Sequence, residues 1–410
     1  MKRSLEKMYG KMNKSNASPD VLIILPNVLE AFTERGGGRE ARLSQVALAL
    51  SEDFTVVIVS PFFRRYCKSI KVQDRLTLNN LYFPAAKEYP PRSRFAKLFQ
   101  SFSAMFYATE AVIKILQLKR RGLRMLLIVD FISGFIPILV AKILNLKILC
   151  YEGNTALWEE PNFSPKRPFM RILLTTFVYM LVKVAGKISD AIVVNDGIIK
   201  GSMVKLGVKE DKIFVMRAMV DTEKFKPLRI EAEDEDEFTV GFIGRLVKEK
   251  GAHLLLELCK TALNELPQVR FIILGDGPFR EALKVLPNVK FVKWVPQYEI
   301  PSKLSTVKVI VSFQKTFGKS EIEALSCGKP IIASRMGEMP ALVKHGEVGL
   351  LCEPNVSSYI KTIRFLMENE SLLKVLSEKS RMYAVKRFAQ KTNYDRWRSL
   401  ISRILLQTNV

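Results

Sequence analysis

Three short stretches carry side chains that together suit an anionic leaving group. Gly244-Arg245-Leu246-Val247-Lys248-Glu249-Lys250-Gly251 places a guanidinium and an ammonium five residues apart on a glycine-bounded turn. Arg binds a phosphate as a fork and Lys as a point charge, so the pair can converge on a diphosphate. Phe317-Gly318-Lys319-Ser320-Glu321-Ile322-Glu323-Ala324 opens a helix, whose first amides attract negative charge. One turn in, Glu323 can accept two hydrogen bonds from a vicinal diol such as ribose. Between these stretches, Gly275-Asp276-Gly277-Pro278 is a tight turn suited to close backbone approach. In the first half, Gly36-Gly37-Gly38-Arg39 also opens a helix, and taken alone it is equally a flexible turn. No G-x-G-x-x-G fingerprint and no P-loop accompany these turns.

The elements that must position these residues follow from periodicity. Short, nearly continuous β-branched runs alternate with helical patterns along the whole chain. In the first half they predict strands at Val21–Leu25, Thr55–Val59, Leu126–Asp130, Lys147–Tyr151, Ala191–Asn195 and Ile213–Arg217. In the second half the strands are Thr239–Ile243, Arg270–Leu274, Val289–Val292, Lys308–Ser312, Pro330–Ala333 and Gly349–Cys352. Apolar strands of this kind are parallel and covered by helices on both faces. The alternation, run through twice, predicts two doubly wound Rossmann-like domains, whose ligands sit at the carboxyl ends of the strands. The expected divisions are a basic, disordered tail over 1–20, an acceptor domain over 21–220, an acidic linker over 221–237 and a donor domain over 238–390. A crossover helix over 391–410 has Trp397, Leu400, Ile401 and Leu405 as its apolar positions and is expected to return to the first domain.

Composition narrows the field. Of 410 residues, 48% are hydrophobic and 26% charged, a globular balance rather than a disordered one. The longest stretch without a formal charge, Leu98–Thr109, is too short to cross a bilayer. The polar start, Met1–Asp20, does not read as a secretory signal. Cys67, Cys150, Cys259, Cys327 and Cys352 are scattered, which predicts buried thiols without disulfides or zinc. His253 and His345 are expected at the surface. Net charge is +23, with +16 in residues 1–220 and +7 in 221–410, which favours anionic partners. No nucleic-acid module is recognisable, so nucleic-acid binding would rest on charge alone. Basic residues instead flank apolar stretches: Arg92, Arg94 and Lys97 before Leu98–Thr109, and Lys166, Arg167 and Arg171 before Ile172–Val182. That layout suits either an anionic membrane surface or core helices with solvated ends.

In order and spacing, these motifs resemble the family 4 retaining glycosyltransferases of the GT-B type, two Rossmann-like domains facing each other across a cleft. The resemblance rests on Gly244–Gly251, Leu274–Pro278, Phe317–Ser334 and Gly346–Leu351, dense after residue 238 and sparse before it. It implies that Arg245 and Lys250 hold the donor diphosphate and stabilise the leaving phosphate. Glu323 would hold the ribose, with Gly318, Lys319 and Ser320 as the phosphate-facing turn and Phe317 beside them among the donor-binding residues. Gly37 and Gly38 would lie beside donor and acceptor, and Gly244, Gly275 and Gly277 would line the donor site. Such enzymes need no metal or other cofactor.

Two positions depart from the family pattern. Lys315 replaces the first glutamate of E-x7-E, which in the family reaches the donor sugar. It either meets an acidic donor or a third phosphate oxygen, or it points to solvent while backbone amides recognise the sugar. Glu152 stands where many members have a histidine, either as a base for an acceptor hydroxyl or as a substrate-orienting group. The expected function is a metal-independent retaining transfer of sugar from a nucleotide-sugar donor to a glycan or lipid-linked acceptor, in the cytoplasm or at the cytoplasmic membrane face. The alternative is a non-catalytic nucleotide-sugar-binding subunit.

Overall fold

The structure, a computed structural model, describes residues 18–25, 38–60, 69–80, 94–129, 131–153, 168–228, 237–292, 295 and 297–407. The side chains of 38–41, 69–70, 80, 94–106, 132–133 and 168–175 are outside that description. So are Gly36, Gly37, Cys67, Lys166, Arg167, the tail before residue 18 and most of the acidic run. The chain divides into two compact units, one holding residues up to Arg217 together with Tyr394 onward, the other Ala218–Asn393.

Buried β-branched runs build the first sheet. Its strands are β1 (Val21–Ile24), β2 (Val56–Ser60), β3 (Ser69–Gln73), β4 (Leu76–Asn80), β5 (Met125–Val129), β6 (Lys147–Glu152), β7 (Ala191–Val194) and β8 (Ile213–Val215). Their order is β3-β4-β2-β1-β5-β6-β7-β8, parallel except for β3, which pairs antiparallel with β4. The helices are α1 (Gly38–Leu50), α2 (Arg94–Lys119), α3 (Phe131–Ile143), α4 (Pro168–Ile188) and α5 (Gly197–Lys205). The β3–β4 hairpin was not expected from the sequence. Its residues alternate apolar with polar instead of forming a continuous apolar run, the pattern of edge strands with one solvated face.

The second sheet contains β9 (Phe238–Ile243), β10 (Val269–Leu274), β11 (Val289–Val292), β12 (Val309–Ser312), β13 (Ile331–Ser334) and β14 (Gly349–Cys352), in the order β11-β10-β9-β12-β13-β14. Its helices are α6 (Ala252–Glu265), α7 (Arg280–Lys284), α8 (Ile300–Leu304), α9 (Lys319–Ser326), α10 (Met339–Val343), α11 (Val356–Met367) and α12 (Glu370–Phe388). Two apolar clusters cover the sheet's opposite faces, one around Leu255, Phe271 and Ile363, the other around Ile310, Ile322 and Val343. Strand order reverses between β9 and β12, so the carboxyl ends of these two neighbours form the switch point where a doubly wound sheet receives a ligand. The last helix, α13 (Gln390–Leu406), buries Trp397, Leu400 and Ile401 and belongs to the first unit from Tyr394 onward.

Candidate active site

The turn after β9 brings its cations to that switch point. Gly244 leaves the strand at φ +151°, Arg245 is exposed and Leu246 is fully buried beneath them. A short 3-10 turn ends at Lys250, and Gly251, at φ +78°, starts α6. A side chain at 251 would collide with Phe313, so the glycine lets the start of α6 lie directly against the loop after β12.

Across that contact, Lys250 Nζ donates to Gln314 Oε1, and Gln314 Nε2 donates to Glu321 Oε1. Glu321 also accepts from Ser312 Oγ (3.0 Å), the Gly318 amide (3.0 Å) and Ser320 Oγ (3.1 Å). A buried carboxylate with four donors is fully satisfied, so it anchors both the loop and, through Gln314, the lysine. Burial pulls the Lys250 ammonium below the ordinary lysine range; the Glu321 carboxylate opposes this and the Arg245 charge adds to it. Neither Gln314 nor Glu321 was singled out from sequence. The only signal for Glu321 was its place three residues after Gly318, where its carboxylate satisfies a free amide at the helix start.

Glu323 lies on α9, 4% exposed. Its Oε1 accepts from Gln297 Nε2 at 2.6 Å and pairs with Lys319 Nζ at 3.6 Å. Burial raises this carboxyl above the usual range, against the pull of Lys319 and Gln297. Gly318 is the N-cap of α9, and Lys319 and Ser320 fill its first turn with amides that have no partner inside the helix. Phe317 is a core residue, edge-on to Phe388 at 6.4 Å, so it anchors the loop. Lys315 is exposed, and its carbonyl accepts from the Glu338 amide at 2.7 Å.

Gly275 and Gly277 serve the neighbouring turn. A Cβ at 275 would fall 2.0 Å from the Gly244 carbonyl oxygen, and one at 277 would fall 2.5 Å from that of Leu246. Both glycines thus let this turn lie directly on the one after β9.

In the first unit, Gly38 is the first residue of α1 and Glu152 the last of β6, with Glu152 1% exposed. The carboxyl end of β6 is held by Arg42 Nη1 donating to Tyr151 Oη (2.8 Å), Tyr151 Oη donating to Asn195 Oδ1 (2.6 Å) and Asn195 Nδ2 donating to the Gly153 carbonyl (2.9 Å).

His345 is exposed, and its Nδ1 accepts from the Leu351 amide at 3.0 Å. His253, expected at the surface, is half-buried instead, because it sits on the first turn of α6 with Nδ1 enclosed. Cys150, Cys259, Cys327 and Cys352 are buried free thiols; burial pushes Cys150, Cys327 and Cys352 up to about 12. Among the described residues, no three His, Cys, Asp or Glu side chains cluster as metal ligands. No described helix is long and apolar enough to cross a membrane.

Residues 223–383 match the family described as glycosyl transferases group 1. A phosphatidylinositol N-acetylglucosaminyltransferase component from Arabidopsis thaliana is 30% identical over 185 residues, 43% of this chain and 41% of that protein. The sulfoquinovosyl transferase of the same plant is 24% identical over 285 residues, covering 65% and 52% of the two chains. The chain thus spans about half the length of the curated relatives it matches. Among solved structures, sucrose-phosphate synthase from Thermosynechococcus elongatus superposes over 95% of this chain and 100% of its own, with a TM-score of 0.74 at 16% identity. The catalytic domain of starch synthase IV from Arabidopsis thaliana covers 95% and 100%, with a TM-score of 0.67 at 14% identity. The fold, two doubly wound units, is of the GT-B type.

Proposed function

We propose that the chain is a metal-independent retaining glycosyltransferase that moves a sugar from a nucleotide-sugar donor to a hydroxyl of a lipid-linked or cell-envelope glycan, at the cytoplasmic membrane face. The observation that carries this reading is the cationic turn Arg245–Lys250 at the carboxyl end of β9, braced against the start of α9 through Gln314 and Glu321.

In this reading the bond between the anomeric carbon and the diphosphate oxygen breaks, and the sugar passes through an oxocarbenium-like state. Negative charge develops on the departing diphosphate. Arg245, Lys250 and the amides at the start of α9 neutralise it in place, with no reorganisation at the moment of reaction. Glu323 holds the ribose: both of its described contacts use Oε1, which leaves Oε2 to accept from the donor. The acceptor oxygen attacks from the leaving group's side, and Glu152 takes its proton. Lys315 places a further cation near this loop, which suits an acidic sugar.

A thermal-shift screen against neutral and acidic nucleotide sugars tests binding. A true donor at 100 times its dissociation constant stabilises by about 2.7 kcal/mol, and acidic sugars are expected to exceed neutral ones. Arg245→Ala and Lys250→Ala should each then lower turnover of the identified donor by roughly 10²–10³, the usual cost of removing one preorganised charge-stabilising group. The proposal fails if no nucleotide sugar shifts the transition, or if turnover survives both substitutions.

A further inference from the structure

The helix layer on one face of the first sheet has an inner side explained by packing and an outer side that is not. Helices α2, α3 and α4 lie side by side. Their crossovers advance in one direction across the sheet from β4 to β7, and right-handed connections put all three on the same face. Ile115, Ile138, Val182 and Ala185 turn inward onto Leu126, Ile148 and Ile192. Facing outward, α3 carries Ile136, Leu139 and Ile143, the last 79% exposed. Helix α4 repeats the same i, i+3, i+7 spacing with Phe177, Met180 and Val184, of which Met180 is 60% exposed. Single exposed apolar residues are ordinary, but matched stripes on adjacent helices mark an interaction surface.

A basic rim accompanies the stripes. Lys119, Lys142 and Lys187 occupy the last turns of the three helices, and Lys183 is exposed beside Val184. Among the described side chains of these helices, Glu110 is the only acidic one. We propose that this face docks on an anionic lipid surface, with the apolar stripes entering the interface and the lysines meeting headgroups. A second copy of the chain is a poorer occupant, because a two-fold contact would set one lysine rim against the other. The inference rests on the proposed lipid-linked acceptor, whose enzyme must work at a bilayer, but its test needs no turnover.

The experiment is co-sedimentation of the full chain with phosphatidylcholine vesicles and with vesicles of equimolar phosphatidylcholine and phosphatidylglycerol. Binding is expected to the mixed vesicles, to weaken with salt, and to be slight on phosphatidylcholine alone. Replacing Lys142, Lys183 and Lys187 by Glu should cost about fivefold or more for each position. Ile143→Ser, Phe177→Ser and Met180→Ser combined should lower binding more than tenfold. All six positions are exposed, so circular dichroism and the melting temperature should match the parent protein. The nucleotide-sugar thermal shift, measured on the same variants, is expected to persist. Its loss from the parent protein would overturn the donor reading while leaving vesicle binding standing. The docking surface is refuted by absent or charge-independent vesicle binding, by serine variants that bind like the parent, or by a concentration-dependent dimer that those variants abolish.

Discussion

In its proposed role of holding the ribose, Glu323 sets binding against stability in a single side chain. It is buried with one described ion pair, to Lys319, and burial raises its carboxyl above the ordinary range. A carboxyl raised in the folded state binds protons that the unfolded chain has already released, so this group's contribution falls as pH rises through that window. Glu323→Gln removes the buried charge and keeps an oxygen for the Gln297 amide. We expect the variant to be more stable at pH 7 by about 1 kcal/mol, in the range of substitutions that trade function for stability. The gap should close near the ordinary glutamate pKa, where the parent carboxyl is also neutral. Nucleotide-sugar affinity should fall tenfold or more, because an amide presents one acceptor where the carboxylate presents two. Melting temperatures at both pH values, with and without donor, decide this; a less stable variant with unchanged affinity would remove Glu323 from the site. Lys250 was legible in the sequence as a cation on a turn. Its brace was not, because Gln314 and Glu321 come together only once the loop after β12 folds back over the start of α9.

At the level of elements, the site is a stack of main-chain turns. Leu246 donates its amide to the Asp276 carbonyl at 2.8 Å, and Gly277 stands against the Leu246 carbonyl at φ +152°. A methyl group at 277 meets backbone rather than a flexible side chain, so the turn carrying Arg245 must move. Gly277→Ala should therefore destabilise by about 1–3 kcal/mol from strain and clash, and it should lower donor affinity although no ligand-touching side chain is altered. Urea midpoints and donor titrations check both; a variant with parental stability would show that the two turns are not tightly stacked. The strands that carry these turns were readable because parallel strands buried on both faces leave continuous apolar runs such as Val309–Ser312. Strands β3 and β4 escaped because alternation over five residues is a weaker signal.

For the molecule as a whole, the first unit is discontinuous in sequence, because the chain leaves it at Arg217, builds 218–393 and returns at Tyr394. What brings it back is the apolar stripe of α13, read from sequence as amphipathic. Trp397, 2% exposed, lies 6.2 Å from Tyr151, and Ile401 and Ile404 are buried with it. Arg398 then ties the helix to the end of α1, donating to the Ala49 carbonyl at 3.0 Å and pairing with Asp53 at 3.2 Å, while Arg403 stacks on Phe214 at 4.8 Å. Residues at the far end of the chain thus complete a core begun at its start, and loss of that plug should be felt in the first sheet. Trp397→Ala removes a buried indole, at a cost of about 3–5 kcal/mol. Hydrogen exchange is the discriminating measurement. Amides of β5, β6 and β7 should exchange faster in the variant, while those of β9, β10 and β12 keep their protection. If both sheets lose protection equally, α13 is not a private element of the first unit, and the two units unfold as one cooperative body.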